Sequence, residues 1–252
     1  MKELSKSIFR RQRDPNFVTR YFIGEGIDIG GLPDPLILYT EFFPLIKNVR
    51  IWDLEDGDAE HMQSAKDESF DFVVSSHCLE HLNDPVAGLK NWFRILKPGG
   101  HLIVTVPEED LYEQGVWPSD KNLDHKWSFT FWKDSSWAPK SVNVLTLLQS
   151  LGIYADIRSV CIQDSGYRYS IPNFDQTIAP TSESAIEFIV RKKKPEEVRK
   201  KISMSSGSID VAPEYLPYLH QYLDDIEALK QLAKKSKPFN NHGPINDKLK
   251  ES

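Results

Sequence analysis

Basic charge is in short supply: 31 lysines and arginines face 37 aspartates and glutamates, a formal net charge of −6. A dedicated nucleic-acid binder normally shows the opposite balance, so that class is set aside. Cysteine is scarcer still. The two, Cys78 and Cys161, stand in apolar segments far apart, which argues against a disulfide framework and makes the cytoplasm the expected location. No apolar run approaches the ~20 residues needed to cross a bilayer, and the basic stretch at residues 1–13 lacks the apolar centre of a signal peptide. No membrane association is expected, and no internal repeat is present. What is there, 252 residues of which 40% are hydrophobic, suffices for one α/β domain with an accessory element.

Strands and helices alternate along the chain. Gly26-Ile27-Asp28-Ile29 reads as a strand stopped by Gly30-Gly31, and Val49 to Asp53 as a second strand ending on an acid. Between them Leu36 to Ile46 reads as a helix disturbed by Pro44. Phe70 to Ser76 is near-continuously apolar, as a strand buried on both faces should be. Asn83-Asp84-Pro85 opens a helix with Val86, Leu89, Trp92 and Leu96 at its apolar spacing. Lys97-Pro98-Gly99-Gly100 then turns into a strand over Leu102 to Val106. Ser141 is the expected cap of a helix over Val142 to Leu151, closed by Gly152. Ile153 to Ile162 and Ala185 to Val190 read as the last strands. This rhythm implies βαβ units and a mostly parallel sheet.

The organisation expected is an N-terminal segment at residues 1–20, a catalytic domain at 21–194, a linker and amphipathic helix at 195–235, and a disordered tail at 236–252. Residues 107–140 break the rhythm. They hold Trp117, Trp127, Trp132 and Trp137, and following a strand they are expected to overhang a substrate as a lid. The tryptophans read first as packing residues, with one or two available to stack on a sugar or face a cation. In the C-terminal helix, Leu216, Leu219, Leu223 and Ile226 form a stripe that would dock on the same chain or pair two copies in a homodimer.

A strand ending Asp28-Ile29-Gly30-Gly31 provides a turn where backbone approaches a ligand closely. In open α/β sheets the ligand crevice lies at the carboxyl ends of the strands, and an acid some twenty residues on, here Asp53, accepts from ribose hydroxyls. Both features fit a dinucleotide as well. A full Gly-x-Gly-x-x-Gly turn would favour pyrophosphate, but the turn here continues Leu32-Pro33-Asp34, and Asp34 would repel phosphate. A cofactor without phosphate suits it better.

Four segments in order then carry a resemblance to class I S-adenosylmethionine-dependent methyltransferases. They are residues 26–31, Gly57-Asp58-Ala59, residues 69–82, and residues 94–104 with their Leu-Lys-Pro-Gly-Gly. The resemblance implies a Rossmann-like α/β fold, with a mostly parallel sheet of seven or six strands, helices on both faces and a C-terminal helical extension. It implies S-adenosylmethionine as cofactor. Asp28 would lie beneath the methionine amino group, and Gly30 would admit the backbone to the cofactor. Asp53 would hold the ribose, Leu54, Asp58 and Ala59 the adenine, and Ser76 and His77 would line the site. Two departures stand out. Leu32 and Asp34 replace later glycines, and only residues 54–57 separate Asp53 from Asp58, where the family has a helix and a strand.

His77-Cys78-Leu79-Glu80-His81 matches a zinc-protease pattern, but it begins at a strand exit rather than on a helix, so no metal is expected there. A weaker metal set is Glu108, Glu109, Asp124 and His125. For methyl transfer to a hydroxyl the chain needs alignment and a base. The candidates are His125 first, then His81 and His77. Asp124-His125-Lys126-Trp127 and residues 173–177 also resemble methyltransferases of bacterial surface-polysaccharide and capsule synthesis. That resemblance implies O-methylation of a small-molecule or saccharide acceptor. The alternatives are an NAD(P)-dependent oxidoreductase and a catalytically silent binding or scaffold protein.

Overall fold

The computed structural model describes residues 2–171, 174–198 and 227. They belong chiefly to a compact unit over Met1–Arg199. The helix expected at residues 213–235, its dimer stripe and the tail expected to be disordered lie outside the described residues, Glu227 apart.

The chain begins with helix α1 (Leu4–Arg13), where the sequence reading had only a basic segment. Strand β1 (Gly24–Ile29) follows, then a 3₁₀ stretch (Leu36–Phe42) in place of the expected α-helix. Pro35 just before it and Pro44 just after it bound that segment, so a regular helix has little more than two turns in which to form. Next come β2 (Ile46–Trp52), β3 (Phe70–Ser76), α2 (Pro85–Ile95) and β4 (Leu96–Pro107). Asp84 caps α2 through Val86 N–H and Ala87 N–H, with Pro85 in the first turn.

Residues 107–140 carry a short π-helical turn (Glu109–Glu113) and β5 (Ser128–Thr130), which pairs with β6 (Ser141–Asn143). Ser141 therefore lies in a strand and does not cap the following helix. Its hydroxyl donates to Glu109, and Asn143 caps α3 (Val144–Gln149) by accepting from Leu145 N–H and Thr146 N–H. The last strands are β7 (Ala155–Gln163) and β8 (Ala185–Lys192).

The main sheet has six strands in the order β2-β1-β3-β4-β8-β7. The first four run parallel, and β8 is antiparallel to both its neighbours. Six rather than seven strands follows from the short link after β2. Residues 53–57 close in one tight turn, with Asp53 and Asp56 each accepting from the other's end of it, which leaves no room for a further helix and strand.

Alternate residues of the central strands feed two cores. Val73, Leu102, Val104 and Phe188 pack beneath α2 and α3 with Leu89, Trp92 and Leu147. Phe72, Val74, Ile103 and Ile189 point the other way and are covered by Leu4 and Ile8 of α1 together with Phe17, Phe22, Leu36 and Phe43. The N-terminal segment thus supplies the cover that a parallel sheet needs on its second face. Strand order reverses between β1 and β3, so the crevice opens at the carboxyl ends of those two strands.

Candidate functional site

A cavity of about 980 Å³ occupies that crevice. Its lining includes every residue the sequence put forward for the cofactor: Asp28, Gly30, Asp53, Leu54, Asp58, Ala59, Ser76 and His77. His81 and His125 line it too.

One half of the cavity is built by the ends of β1 and β2. Gly30 has φ +70, and a Cβ there would fall 2.7 Å from the Cβ of Cys78, so the turn closes only with glycine. At Gly31 a Cβ would meet the Asp28 carboxyl at 2.7 Å. Asp28 is buried and accepts from Leu36 N–H at 2.7 Å. Burial outweighs that bond and pushes its carboxyl up to about 7. Asp53 ties the two strand ends together, accepting from Leu32 N–H at 3.0 Å and Leu54 N–H at 2.8 Å. Leu54 itself is 93% exposed, an apolar side chain standing bare at the cavity wall. Asp58 accepts from Glu60 N–H, and its pairing with His61 holds its pKa below the usual carboxylate value. Asp34, expected to repel a phosphate at this turn, is buried and accepts from Ser5 N–H and the Tyr39 hydroxyl.

The other half is built by the exit of β3 and the insertion. His77 has φ +56 and anchors its amide on Thr105 C=O at 2.9 Å. Its ring lies 3.3 Å from Glu80 and 3.8 Å from Glu3. Burial works to lower the pKa of this ring, yet the two acids together raise it. Glu80 is fully buried, and neither carboxylate oxygen makes a hydrogen bond. Burial works to raise its pKa, and the neighbouring histidines, His77 foremost, bring it below the usual value. His81 Nδ1 faces the Asp124 carbonyl at 3.1 Å. A carbonyl can only accept, so Nδ1 carries a proton, and in the neutral tautomer Nε2 is the bare nitrogen. His125 is buried, with Nδ1 at 2.8 Å from Glu113 and Nε2 at 3.8 Å from Glu80. The two rings meet edge to face at 5.1 Å.

Several of these neighbours were not legible in the sequence. Glu3 and Leu4 reach the cavity from α1, and Tyr112 from the π-helical turn. Glu113 carried no signal, being one acid among many. Glu80 did carry one, its place between two histidines, and only the fold shows it facing His125 as well. The weaker metal set does not assemble. Glu109 is taken up by Lys133, Ser136 and Ser141, and Glu108 accepts from Asp110 N–H and Leu111 N–H. Of the insertion's four tryptophans none lines the cavity. Trp127 packs on the core and donates to Leu82 C=O, and Trp137 donates to Asp110. The insertion's contribution is Tyr112 and residues 122–126.

A family model described as a methyltransferase domain matches residues 44–104, which span β2, the tight turn, β3, α2 and most of β4. Asp53, Asp58, Ser76, Glu80 and His81 all fall within it. No curated protein matches the chain. Among solved structures the chain is similar to an S-adenosylmethionine-dependent methyltransferase from Archaeoglobus fulgidus, at 18% identity and TM-score 0.47, over 76% of this chain and 95% of that one. It is similar to an inferred S-adenosylmethionine-dependent methyltransferase from Listeria monocytogenes at 15% identity and TM-score 0.49, over 76% and 99%. It is also similar to the N-methyltransferase NodS from Bradyrhizobium japonicum at 13% and 0.44, over 76% and 95%.

Proposed function

We infer that this chain, an S-adenosylmethionine-dependent methyltransferase, delivers its methyl group to a hydroxyl of a small-molecule or saccharide acceptor. The observation that carries the cofactor assignment is the charge of the cavity. Six acids line it (Glu3, Asp28, Asp34, Asp53, Asp58 and Asp124), Asp28 with its pKa raised to about 7, against Lys126 and the His77 ring, whose pKa is raised. A pyrophosphate would meet repulsion there, whereas a sulfonium with an ammonium group, net positive, is drawn in. This also weighs against the oxidoreductase alternative.

When bound, the cofactor supplies an electrophilic methyl group on sulfur. The chain's own residues do the rest. Asp53 keeps lone pairs free for ribose hydroxyls beyond the two amides it already binds. Leu54 offers the adenine an apolar face, and Asp28 faces the amino-acid end. The acceptor hydroxyl is held where His81 and His125 meet, and it loses its proton there. Tyr112 and residues 122–126 wall this end from water. The resemblance of residues 124–127 and 173–177 to surface-polysaccharide methyltransferases supports a saccharide or capsule substituent as the acceptor.

Calorimetry with S-adenosylhomocysteine tests the first half. Asp53→Ala should weaken binding by roughly 1.5–3 kcal/mol with the fold intact. Unchanged affinity would remove Asp53 from the cofactor site. Methyl-labelled cofactor offered to hydroxyl- and amine-bearing acceptors tests the second half, with label expected on oxygen. His125→Ala should cut that turnover by about 10²–10⁴ while leaving product affinity in place. Label on nitrogen, or full turnover in the mutant, overturns the assignment.

A further inference from the structure

We propose that Glu80, His81 and His125 form a binding site for a divalent transition-metal ion at the acceptor end of the cavity. This departs from the sequence reading, which expected no metal here. It deepens the reading of hydroxyl methylation and rests on it for the ion's role, though not for its binding.

Three observations converge. First, one ligand atom from each residue lies within 4.8 Å of the others, and this is the one such trio of His, Cys, Asp or Glu among the described residues. Closing to bonds of about 2.0–2.2 Å asks each side chain to move inward by about 1 Å. Second, both histidines are oriented as metal ligands usually are. Each Nδ1 is spoken for by an oxygen, the Asp124 carbonyl for His81 and the Glu113 carboxylate for His125. That pairing leaves each Nε2 as the donor nitrogen, and His125 Nε2 lies 3.8 Å from Glu80. Third, Glu80 is fully buried and neither oxygen has a hydrogen bond. Its nearest partner is the His77 ring at 3.3 Å, which faces Oε1, and a buried carboxylate with no hydrogen bond at either oxygen is costly unless cationic charge meets it.

The backbone holds the three together. Lys126 N–H and Trp127 N–H both donate to the Glu80 carbonyl, at 2.9 and 3.2 Å, which ties the insertion carrying His125 to the turn carrying Glu80 and His81. Two imidazoles and a carboxylate suit zinc, manganese, iron or cobalt rather than magnesium or calcium, which take oxygen ligands. His81 is partly exposed, so the open coordination positions face the cavity. A hydroxyl bound there becomes more acidic. With the ion bound, His81 and His125 serve as its ligands in place of the base, so the O–H bond breaks with the electron pair left on oxygen and the proton passes to solvent water at the cavity mouth.

The full-length protein, stripped with chelator, should bind one equivalent of Zn²⁺ by calorimetry and give a visible absorption band with Co²⁺. Glu80→Gln and His81→Ala should each weaken binding at least about 100-fold, and Glu113→Gln, which acts through His125, by about 10–100-fold. S-adenosylhomocysteine affinity, measured in each variant, reports that the fold and the cofactor half survive. No saturable binding of either ion to the wild-type protein, or binding unaltered in both Glu80→Gln and His81→Ala, overturns the site. The two readings fail separately. Hydroxyl methylation that persists undiminished in metal-free protein removes the ion's role and leaves the methyltransferase reading standing. Stoichiometric binding lost in the variants, in a protein that methylates no hydroxyl, supports the site and overturns the acceptor assignment.

Discussion

Asp28 carries the sharpest consequence at the scale of a single residue. Its carboxyl is 1% exposed and has an ordinary value near 3.8, which burial raises to about 7 in the cofactor-free fold. A group whose folded pKa is raised contributes stability that is whole below the unfolded pKa and is lost as pH climbs through the folded one. Cofactor-free protein should therefore lose stability between about pH 4 and 7 through this group. Asp28→Asn should be more stable than the parent at pH 8, with the gain shrinking toward pH 4. Urea titrations across that range check it, and a gain that does not vary with pH would remove Asp28 as its source. A cationic ammonium placed against the carboxylate should drive its proton off. Binding of S-adenosylhomocysteine at pH 7, measured by calorimetry in two buffers of different ionisation enthalpy, should release a fraction of a proton in the parent and less in Asp28→Asn. Equal release in both would place the titrating group elsewhere.

At the scale of elements, α1 is joined to the sheet by charge as well as by its apolar face. Arg11 is fully buried, with Nε and Nη2 on Glu187 of β8 at 2.9 and 2.6 Å and Nη2 on Thr105 of β4 at 3.0 Å. Arg10 adds contacts to Glu183 and Glu187. Burial alone would raise the Glu187 pKa, but Arg11 and Arg10 bring it below the ordinary value. The stability this pair contributes is present above the ordinary glutamate pKa and is lost as pH falls through the lowered one. Removing Arg11 leaves the buried Glu187 carboxylate to Arg10, which is partly exposed and shared with Glu183. With Arg10 still in place, Arg11→Met should cost at most about 3–5 kcal/mol, and Arg11→Met with Glu187→Leu should recover most of it. Chemical denaturation of the single and double variants checks this, and additive losses would show that the two side chains act independently. Because Glu3 and Leu4 line the cavity just before and at the start of this helix, Arg11→Met should also weaken S-adenosylhomocysteine binding.

For the whole molecule, the unit over Met1–Arg199 holds all six strands of the main sheet, both cores and every cavity-lining residue. A chain ending at Arg199 should fold cooperatively and bind S-adenosylhomocysteine with the affinity of the full chain. Thermal melts and calorimetry on the two chains side by side provide the check. Loss of the cooperative melt or of affinity would show that residues 200–252 are needed for the fold or the site.

The sequence by itself determined what is local. Period and punctuation placed β1, β2, β3 and α2, because an apolar run of strand length between turn residues, or a capped run at helical spacing, has one good local solution. It also marked Asp28, Gly30 and Asp53, at the ends of strands whose carboxyl edge forms the crevice in this architecture, and the family resemblance added Asp58, Ser76 and His77. Only the tertiary structure decided what depends on distant partners. That Ser141 would join a strand was settled by the pairing of β5 with β6 and by Glu109, 32 residues away. That residues 4–13 would cover the sheet was settled by Glu187, 176 residues from Arg11. Glu113 lies 12 residues from His125 and Glu80 faces it from another segment, so their approach follows from chain closure and not from spacing. Local pattern sets which elements form, since each residue's backbone preference and burial period act within a few neighbours. Which side chains meet is set by how those elements close on one another, and the histidine–carboxylate cluster exists only once they have.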